Sequence, residues 1–191
     1  MTTALMEGPE SSAAELQDFD RLMERYRTCV FRFLLASLRD REDAETLTQD
    51  CFLRAFRHRD QFRGEAAVKT WLMQIAANLA RDLTRTRRFQ FWKRAHSTAV
   101  DALDLGDFLP ARAISPEESA VRREQVQAIW AATENLSPRQ REVFLLGFVE
   151  DLTMAEIAAV LGTTEGTMKK QLFRALHTVR GQMKVTSRRL P

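Results

Sequence analysis

Basic, hydroxyl and aromatic side chains recur at short spacing near the carboxyl end of the chain, and side chains of these types bind DNA. They are Thr167, Lys169, Lys170, Phe173 and Arg174. Lysine and arginine contact phosphates, whereas polar and aromatic groups contact the backbone or the base edges. From residue 166 to residue 191 the chain carries seven Lys or Arg residues and no Asp or Glu. Because this segment carries positive charges and no negative ones, it predicts a surface that lies against phosphates.

Two short helices must position these side chains, and the residues around them indicate where each helix begins and ends. Thr153 and Glu156 have the spacing of a capping box at the start of the first helix. Gly162 supplies the left-handed residue that ends it, and Thr164 can cap the second helix. The buried stripe of the second helix is formed by Met168, Leu172 and Leu176. The pattern predicts a helix-turn-helix that suits the major groove, and a helical hairpin with a solvated basic face is the alternative.

A further helix is predicted immediately before this motif. Ser137 stands at its cap and Pro138 at its first turn, which are the preferred positions of these residues. Arg139 and Arg141 follow, and we expect them to add phosphate contacts unless they merely form a solvated helix face.

The composition predicts an all-α protein of two small helical domains joined by a flexible linker. Of the 191 residues, 45% are apolar and 29% charged, with seven Gly and five Pro, and apolar residues recur at helical spacing along most of the chain. No charge-poor apolar run approaches the roughly twenty residues that a membrane span needs. We therefore expect no membrane span and no signal peptide, and a cytoplasmic protein.

Neither metal nor catalytic chemistry is predicted, and no cofactor is expected. Cys29 and Cys51 stand apart and the three histidines are scattered, so metal-ligand spacing is absent from the sequence. Both thiols are expected to fill core positions, with a redox-sensing pair as the alternative. A nucleic-acid enzyme is disfavoured because the sequence contains no phosphate-binding glycine loop and no nucleophile triad.

Helical spacing and composition divide the chain into five parts. Helices are predicted over 16–38, 43–58 and 68–88, with a charged break at 39–43 and a loop at Gly64. Periodicity fails over about 90–120, where Asp, Gly and Pro crowd the chain. The predicted parts are a disordered leader (1–14), a first domain (15–94), a linker (95–120), a helix-turn-helix domain (121–183) and a basic tail (184–191).

Three segments together resemble one known family. Segments 43–55 (DAETLTQDCFLRA), 62–82 (FRGEAAVKTWLMQIAANLARD) and 136–176 are similar to the bacterial RNA polymerase sigma factors of the sigma-70 family, in particular the extracytoplasmic-function (ECF) group. The resemblance implies a non-catalytic subunit that binds core RNA polymerase, recognises the minus-ten and minus-thirty-five promoter elements and melts promoter DNA. It also implies a separate anti-sigma factor as regulator, although control through the protein's own expression is equally open.

The resemblance assigns residues to three surfaces. Core polymerase binding falls to Glu45, Gln49, Asp50 and Arg54. The minus-ten surface, which holds double- and then single-stranded DNA, comprises Arg63, Lys69, Thr70, Trp71, Asn78, Arg81, Asp82, Arg85, Arg87 and Arg88, with the loop 64–69 as the expected pocket for a flipped base. The minus-thirty-five surface comprises Thr164, Thr167, Lys169, Lys170, Phe173 and Arg174.

Core packing is the alternative role for two aromatic residues in these sets. Trp71 is as well suited to a helix core as to a base-binding surface. Phe173 is expected to touch a thymine methyl group, with core filling as the second possibility. For the whole chain, the competing function is a conventional helix-turn-helix regulator that binds duplex DNA without polymerase. Such a regulator has no need of segment 62–88, whose aromatic and basic residues suit single strands.

Overall fold

The computed structural model describes residues 16–64, 66–90 and 130–187, and every regular element in these ranges is helical. This confirms the all-α prediction. The helices are α1 (Phe19–Leu38), α2 (Arg41–His58), α3 (Val68–Gln90), α4 (Pro138–Phe144), α5 (Met154–Leu161) and α6 (Glu165–Ser187). Within these ranges no helix combines the length and the apolar character that crossing a membrane requires. The predicted leader 1–14 and linker 95–120 lie outside the described residues.

Helices α1 and α2 form a hairpin whose connection is shorter than the sequence predicts. Arg39 ends α1 in the left-handed conformation (φ 57°), and its backbone N–H donates to Leu35. Asp40 caps α2, since its side chain accepts a hydrogen bond from the backbone N–H of Asp43 at 3.0 Å. The predicted break at 39–43 is therefore wrong at its end, because the charged residues from Arg41 onward already form the first turn of α2.

Helix α3 completes the N-terminal unit, which we define as residues 16–90. A 3-10 turn (Arg59–Gln61) and the residues around Gly64 (φ 71°) connect it to α2. The buried positions of α3 include the small residues Ala76, Ala77 and Ala80. Because small side chains let helices approach closely, α3 packs against α1 and α2 in its own unit and against α5 beyond it.

The C-terminal unit, residues 130–187, contains α4, α5 and α6. Ser137 and Gln140 form a capping box at the start of α4, which confirms the helix start predicted at Ser137 and Pro138. A π-helical turn (Leu145–Val149) follows α4, and Asp151 then adopts a positive φ of 55°. Helix α6 extends to Ser187, so the first residues of the predicted basic tail 184–191 are helical.

The two units are in contact, and their buried apolar residues form one continuous cluster. This cluster joins α1, α2 and α3 to residues of the C-terminal unit that include Leu146, Leu152 and Ile157. A second, smaller cluster lies within the C-terminal unit between α4 and α6. The fold is therefore a pair of helical units that share apolar packing.

Both cysteines lie inside the N-terminal unit, which confirms that they fill core positions. Cys29 and Cys51 are 8% and 0% exposed. The Cys29 thiol donates to the backbone oxygen of Tyr26, and the Cys51 thiol donates to that of Leu72. Burial raises the pKa of each thiol from 9.0 to about 12.

We predict that neither thiol reacts at an appreciable rate in the folded protein. At a given pH, a pKa of about 12 leaves about a thousandfold less thiolate than a pKa of 9.0 does, and the thiolate is the nucleophile. A chromogenic disulfide reagent at pH 8 should therefore modify both cysteines rapidly in guanidinium chloride and neither on the same timescale in buffer. Rapid modification of the folded chain would restore the redox-sensing alternative.

Candidate nucleic-acid interface

The predicted helix-turn-helix is formed by α5, α6 and the turn between them. The backbone N–H of Glu156 donates to Thr153 Oγ1 at 3.3 Å, and the backbone N–H of Thr153 donates to Glu156 Oε2 at 2.8 Å. Gly162 ends α5 with φ 62°. Thr164 accepts from the backbone N–H of Thr167 at 3.4 Å at the start of α6. Each local signal in the sequence thus has the structural role predicted for it.

The outer face of α6 presents the predicted minus-thirty-five residues to solvent. Met168 is fully buried and anchors the opposite face of the helix. Phe173 is 73% exposed, so the core-filling alternative for this residue is wrong. Lys169 pairs with Glu165 one turn earlier at 3.6 Å. The exposed set comprises Thr164, Thr167, Lys169, Lys170, Phe173 and Arg174.

Arg139 and Arg141 do not extend this surface, which corrects the expectation of phosphate contacts. Arg139 donates to the backbone oxygen of Leu161 at 2.7 Å and thereby ties α4 to the end of α5. Arg141 donates to the backbone oxygens of Thr133 and Leu136 at 3.2 Å each. Burial lowers the pKa of Arg141 to about 10. Both guanidinium groups are engaged by carbonyl oxygens of their own unit.

A second polar face lies on α3. Trp71, Asn78, Asp82 and Arg85 are spaced by three, four or seven residues, so they share one side of the helix. Asn78 accepts from Arg81 at 3.0 Å, and Arg63, Arg81 and Arg85 are exposed. Of Arg87 and Arg88 the structure describes the backbone, which continues the helix.

A cleft of about 350 Å³ opens between the end of α2 and this face of α3. Trp71 lines it and packs against Phe62, with ring centroids 5.1 Å apart, so this residue has both a packing role and an accessible edge. The remaining lining residues are Arg54, His58, Gln61, Ile75 and Asn78. The loop 64–69, which the resemblance implies as the pocket for a flipped base, does not line this cleft. His58 and Gln61 were not identified from the sequence, because their proximity to α3 depends on the packing of α2.

Lys69 and Thr70 differ from the other predicted minus-ten residues, since both contact the C-terminal unit. The Lys69 ammonium lies 3.1 Å from Glu150 Oε2 and donates to the Glu150 backbone oxygen at 2.6 Å. Thr70 is 3% exposed and donates to Glu156 Oε1 at 2.9 Å. The structure therefore separates these two residues from the face that carries Trp71, Asn78 and Arg85.

Glu150 is the buried centre of these contacts and was not identified from the sequence. Its side chain is 1% exposed and pairs with Lys69 from α3 and with Arg32 Nη2 from α1, the latter at 3.0 Å. Glu156 lies nearby. Burial acts to raise the pKa of Glu156, but hydrogen bonds from Thr153 and Thr70 and the charge of Lys69 outweigh it and lower that pKa. Glu156 therefore remains a carboxylate at neutral pH.

The predicted polymerase-binding residues lie on α2, and all of them except Asp50 are exposed. Glu45 and Gln49 are exposed one turn apart, and Asp50 is half-buried. Arg54 lines the cleft beside Trp71. Leu53, which the sequence analysis did not single out, is 47% exposed next to this surface.

Comparison with protein families matches both units. The family model described as Sigma-70 region 2 matches residues 22–90, and the model described as Sigma-70, region 4 matches residues 126–178. The first range contains α3 and its cleft. The second contains the helix-turn-helix.

Curated relatives align with most of the chain. The ECF RNA polymerase sigma factor BldN of Streptomyces coelicolor is 32% identical over 170 residues, which are 88% of this chain and 61% of BldN. The ECF RNA polymerase sigma factor SigX of Bacillus subtilis is 28% identical over 169 residues, which are 88% of this chain and 85% of SigX. The chain therefore spans less than two thirds of the length of BldN but most of that of SigX.

A solved structure shares the fold. The sigma factor RpoE of Bartonella quintana, in complex with the anti-sigma factor NepR, superposes with a TM-score of 0.68 at 24% identity. The match covers 88% of this chain and 98% of that chain. At this level of identity the likeness concerns the fold.

We predict opposite effects on stability for alanine at two glycines of the C-terminal unit. Gly162 has φ 62°, so Gly162→Ala forces a residue with a Cβ into the left-handed backbone conformation. This substitution should lower the free energy of unfolding by roughly 1 kcal/mol. Gly181 lies in α6 with no atom within 4 Å of an added Cβ. Gly181→Ala should therefore raise the free energy of unfolding by roughly 0.5–1 kcal/mol.

Urea unfolding of both variants, followed by circular dichroism, measures the difference. A third variant, Gly162→Asn, serves as the matched control because asparagine tolerates the left-handed conformation better than alanine does. Equal free energies of unfolding for Gly162→Ala and the unmodified chain would contradict the assigned turn.

Proposed function

The chain belongs to the ECF group of the sigma-70 family, and on this premise we propose that it is the promoter-recognition subunit that directs core RNA polymerase to its promoters. In this role it binds core polymerase, recognises the minus-ten and minus-thirty-five elements and melts promoter DNA. The observation that carries the proposal is that one chain combines two different surfaces with the chemistry to bind nucleic acid. A helix-turn-helix with an exposed basic face lies in one unit, and a cleft lined by aromatic and amide side chains lies in the other.

In this proposal the C-terminal unit recognises the minus-thirty-five element with α6. Its exposed basic residues Lys169, Lys170 and Arg174 contact phosphates and base edges in the major groove. Thr164 and Thr167 lie at the helix start, where backbone N–H groups favour a phosphate. Phe173 contacts a thymine methyl group, and its exposure of 73% supports that role.

The N-terminal unit, in the same proposal, holds the melted minus-ten element on α3. Unpaired bases bind by stacking on aromatic side chains and by hydrogen bonds from amide and basic groups. The cleft formed by Trp71, Asn78 and Arg54 offers all three groups. Arg63, Asp82 and Arg85 of the proposed surface are exposed, and the remaining residues of this set are Lys69, Thr70, Arg81, Arg87 and Arg88.

The exposed side of α2 is the proposed docking surface for core polymerase. Glu45, Gln49 and Asp50 provide acidic and polar contacts that suit a basic partner. Leu53 adds an apolar contact, and its exposure supports its inclusion. Arg54 is better placed for the cleft than for this surface.

The remaining parts of the proposal concern activity, location and regulation. The protein catalyses no reaction itself, requires no cofactor and works in the cytoplasm with polymerase. The first domain (15–94) and the helix-turn-helix domain (121–183) are the two functional modules, joined by the linker 95–120. An anti-sigma factor is proposed as a partner because the structurally similar RpoE was solved with one.

We predict that the chain confers promoter-specific initiation on core polymerase. Run-off transcription with purified core enzyme and a pool of genomic promoter fragments should yield discrete new transcripts only when the chain is added. A conventional regulator would instead bind specific duplex sites without core enzyme, commonly as a dimer on palindromic half-sites, and would give no new transcripts. That result would refute the sigma-factor proposal.

We also predict that a charge on α6 matters for promoter binding and not for folding. Arg174 is exposed, so Arg174→Gln should leave the free energy of unfolding within about 0.5 kcal/mol of its original value. The loss of one base or phosphate contact should weaken holoenzyme binding to the minus-thirty-five element by about 1–3 kcal/mol, which is roughly fivefold to 150-fold.

The matched control is Arg21→Gln on α1, which removes the same charge from an exposed residue that pairs with Asp18. Filter binding of each holoenzyme to a promoter found in the transcription assay provides the measurement. Equal losses for Arg174→Gln and Arg21→Gln would indicate a general charge effect and remove Arg174 from the recognition surface.

A further inference from the structure

The outer face of α6 is longer than the predicted minus-thirty-five surface. Met168, Ala175 and Val179 are buried on the inner face of this helix. His177 follows Met168 by nine positions, which is two and a half helical turns, so it lies opposite the buried face. His177 and Arg180 are both exposed. They continue the exposed face of the helix toward its carboxyl end.

This continuation carries positive charge that no acid of the same helix compensates. After Glu165 the sequence of α6 contains no Asp or Glu. Within the described part of the chain, the side chains of His177 and Arg180 form no hydrogen bond or ion pair. The guanidinium of Arg180 therefore retains its N–H donors, which are arranged in a fork that fits a phosphate.

Gly181 lies on the same exposed side of α6, one turn after His177 and directly after Arg180. A glycine in the interior of a helix weakens it, because glycine loses the most conformational freedom on folding. No described atom lies within 4 Å of a Cβ added at Gly181, so packing inside the protein does not require the missing side chain. A missing side chain does allow an external group to approach the helix backbone closely.

The position of these residues along α6 fits the edge of a DNA major groove. The predicted minus-thirty-five residues extend from Thr164 to Arg174, which corresponds to about 15 Å along a helix. The major groove is about 12 Å wide, so a helix whose first turns lie at the base edges reaches the bordering phosphates within this length. His177 lies almost one turn beyond Arg174. It and the residues after it therefore meet the sugar-phosphate backbone and not the bases.

We propose that His177, Arg180 and Gly181 form a phosphate-binding site that extends the DNA contact of α6 to the far edge of the groove. The gap at Gly181 admits the phosphate, while Arg180 and a ring N–H of His177 donate hydrogen bonds to it. The ligand is a backbone phosphate of duplex DNA, so the contact adds affinity without reading sequence. This inference rests on the proposed function, because it adds a contact to the same recognition helix.

Gly181→Gln is the first test, because it should change stability and DNA binding in opposite directions. Glutamine is a better helix former than glycine, so the urea midpoint of the chain should rise. Its side chain occupies the gap and should weaken filter binding of the holoenzyme to its promoter about tenfold, the loss expected for one hydrogen bond to a charged group.

Met183→Gln is the matched control for this variant. Met183 is 37% exposed and follows Gly181 by two positions, so it lies on the other side of the same helix. Its replacement should leave promoter binding unchanged. If circular dichroism shows that Gly181→Gln loses helicity, Gly181→Ala replaces it, and the single added methyl group should weaken binding by a smaller factor.

Arg180→Gln tests the charge of the site through the salt dependence of binding. The plot of log K against log salt concentration should become shallower by about 0.9, because one phosphate fewer is neutralised. The affinity should fall by the same factor on the promoter and on unrelated duplex, since phosphates carry no sequence information. Arg21→Gln on α1 removes the same charge and should leave the slope unchanged.

His177→Glu tests the orientation of the site. The new carboxylate faces the phosphate and should weaken promoter binding more than Met183→Glu does, although both variants add the same charge to the same helix. A difference between them therefore reports on the face of α6 that lies against DNA.

Three results would overturn the inference: promoter binding by Gly181→Gln as tight as that by Met183→Gln, a salt slope of Arg180→Gln equal to that of Arg21→Gln, or equal losses for His177→Glu and Met183→Glu. All three are measured on a holoenzyme that transcribes. The proposed function fails earlier, when core polymerase gives no new transcripts, so the two failures are distinguishable.

Discussion

The arrangement of both units depends on the burial of α3. The buried face of this helix is apolar and carries small side chains, since Ala76, Ala77 and Ala80 are almost completely buried. Close packing against α1 and α2 fixes the orientation of the helix, and its remaining surface is divided between solvent and α5. The cleft beside Trp71 and the contact with the C-terminal unit are consequences of the same packing. A larger side chain at Ala77 would overpack this site and displace the surrounding helices.

Apolar and polar contacts have different roles where the two units meet. The continuous apolar cluster removes side chains such as Leu146 and Ile157 from water and provides the driving force for association. The buried Glu150 carboxylate contributes little net stability, because its attraction to Arg32 and Lys69 is offset by the desolvation of all three groups. Any orientation that kept Glu150 buried and moved it away from Arg32 and Lys69 would leave a buried charge without a partner and is therefore disfavoured. The ion pairs therefore select one arrangement and leave its stability to the apolar contacts.

The sequence was sufficient to predict structural features that depend on residues close to one another along the chain. Thr153, Glu156 and Gly162 lie within one short helix, so capping chemistry alone predicts its ends. The start of α2 was predicted too late, because the capping aspartate Asp40 stands among several charged residues that resemble a loop. Arg141 was predicted to contact phosphates, since nothing in a charged helical face indicates that carbonyl oxygens from a preceding turn will surround it.

Features that depend on distant residues were beyond sequence reasoning. Glu150 follows Arg32 by 118 positions and Lys69 by 81 positions, and helical periodicity carries no information over such distances. The same applies to the cleft, which is lined by His58 from the end of α2 and by Asn78 from α3. The sequence therefore predicted which side chains have the chemistry to bind nucleic acid, and three-dimensional packing determined which of them face solvent.

Glu156 links the local and the long-range parts of this structure. One of its oxygens closes the capping box by accepting from Thr153, and the other accepts from Thr70 on α3. The carboxylate that orders the first turn of α5 is thus also a contact between the units, and its lowered pKa keeps it charged for both roles. Rotation of α5 away from α3 would break the hydrogen bond to Thr70 and leave the capping box intact. One carboxylate therefore serves both the start of α5 and the packing of α5 against α3.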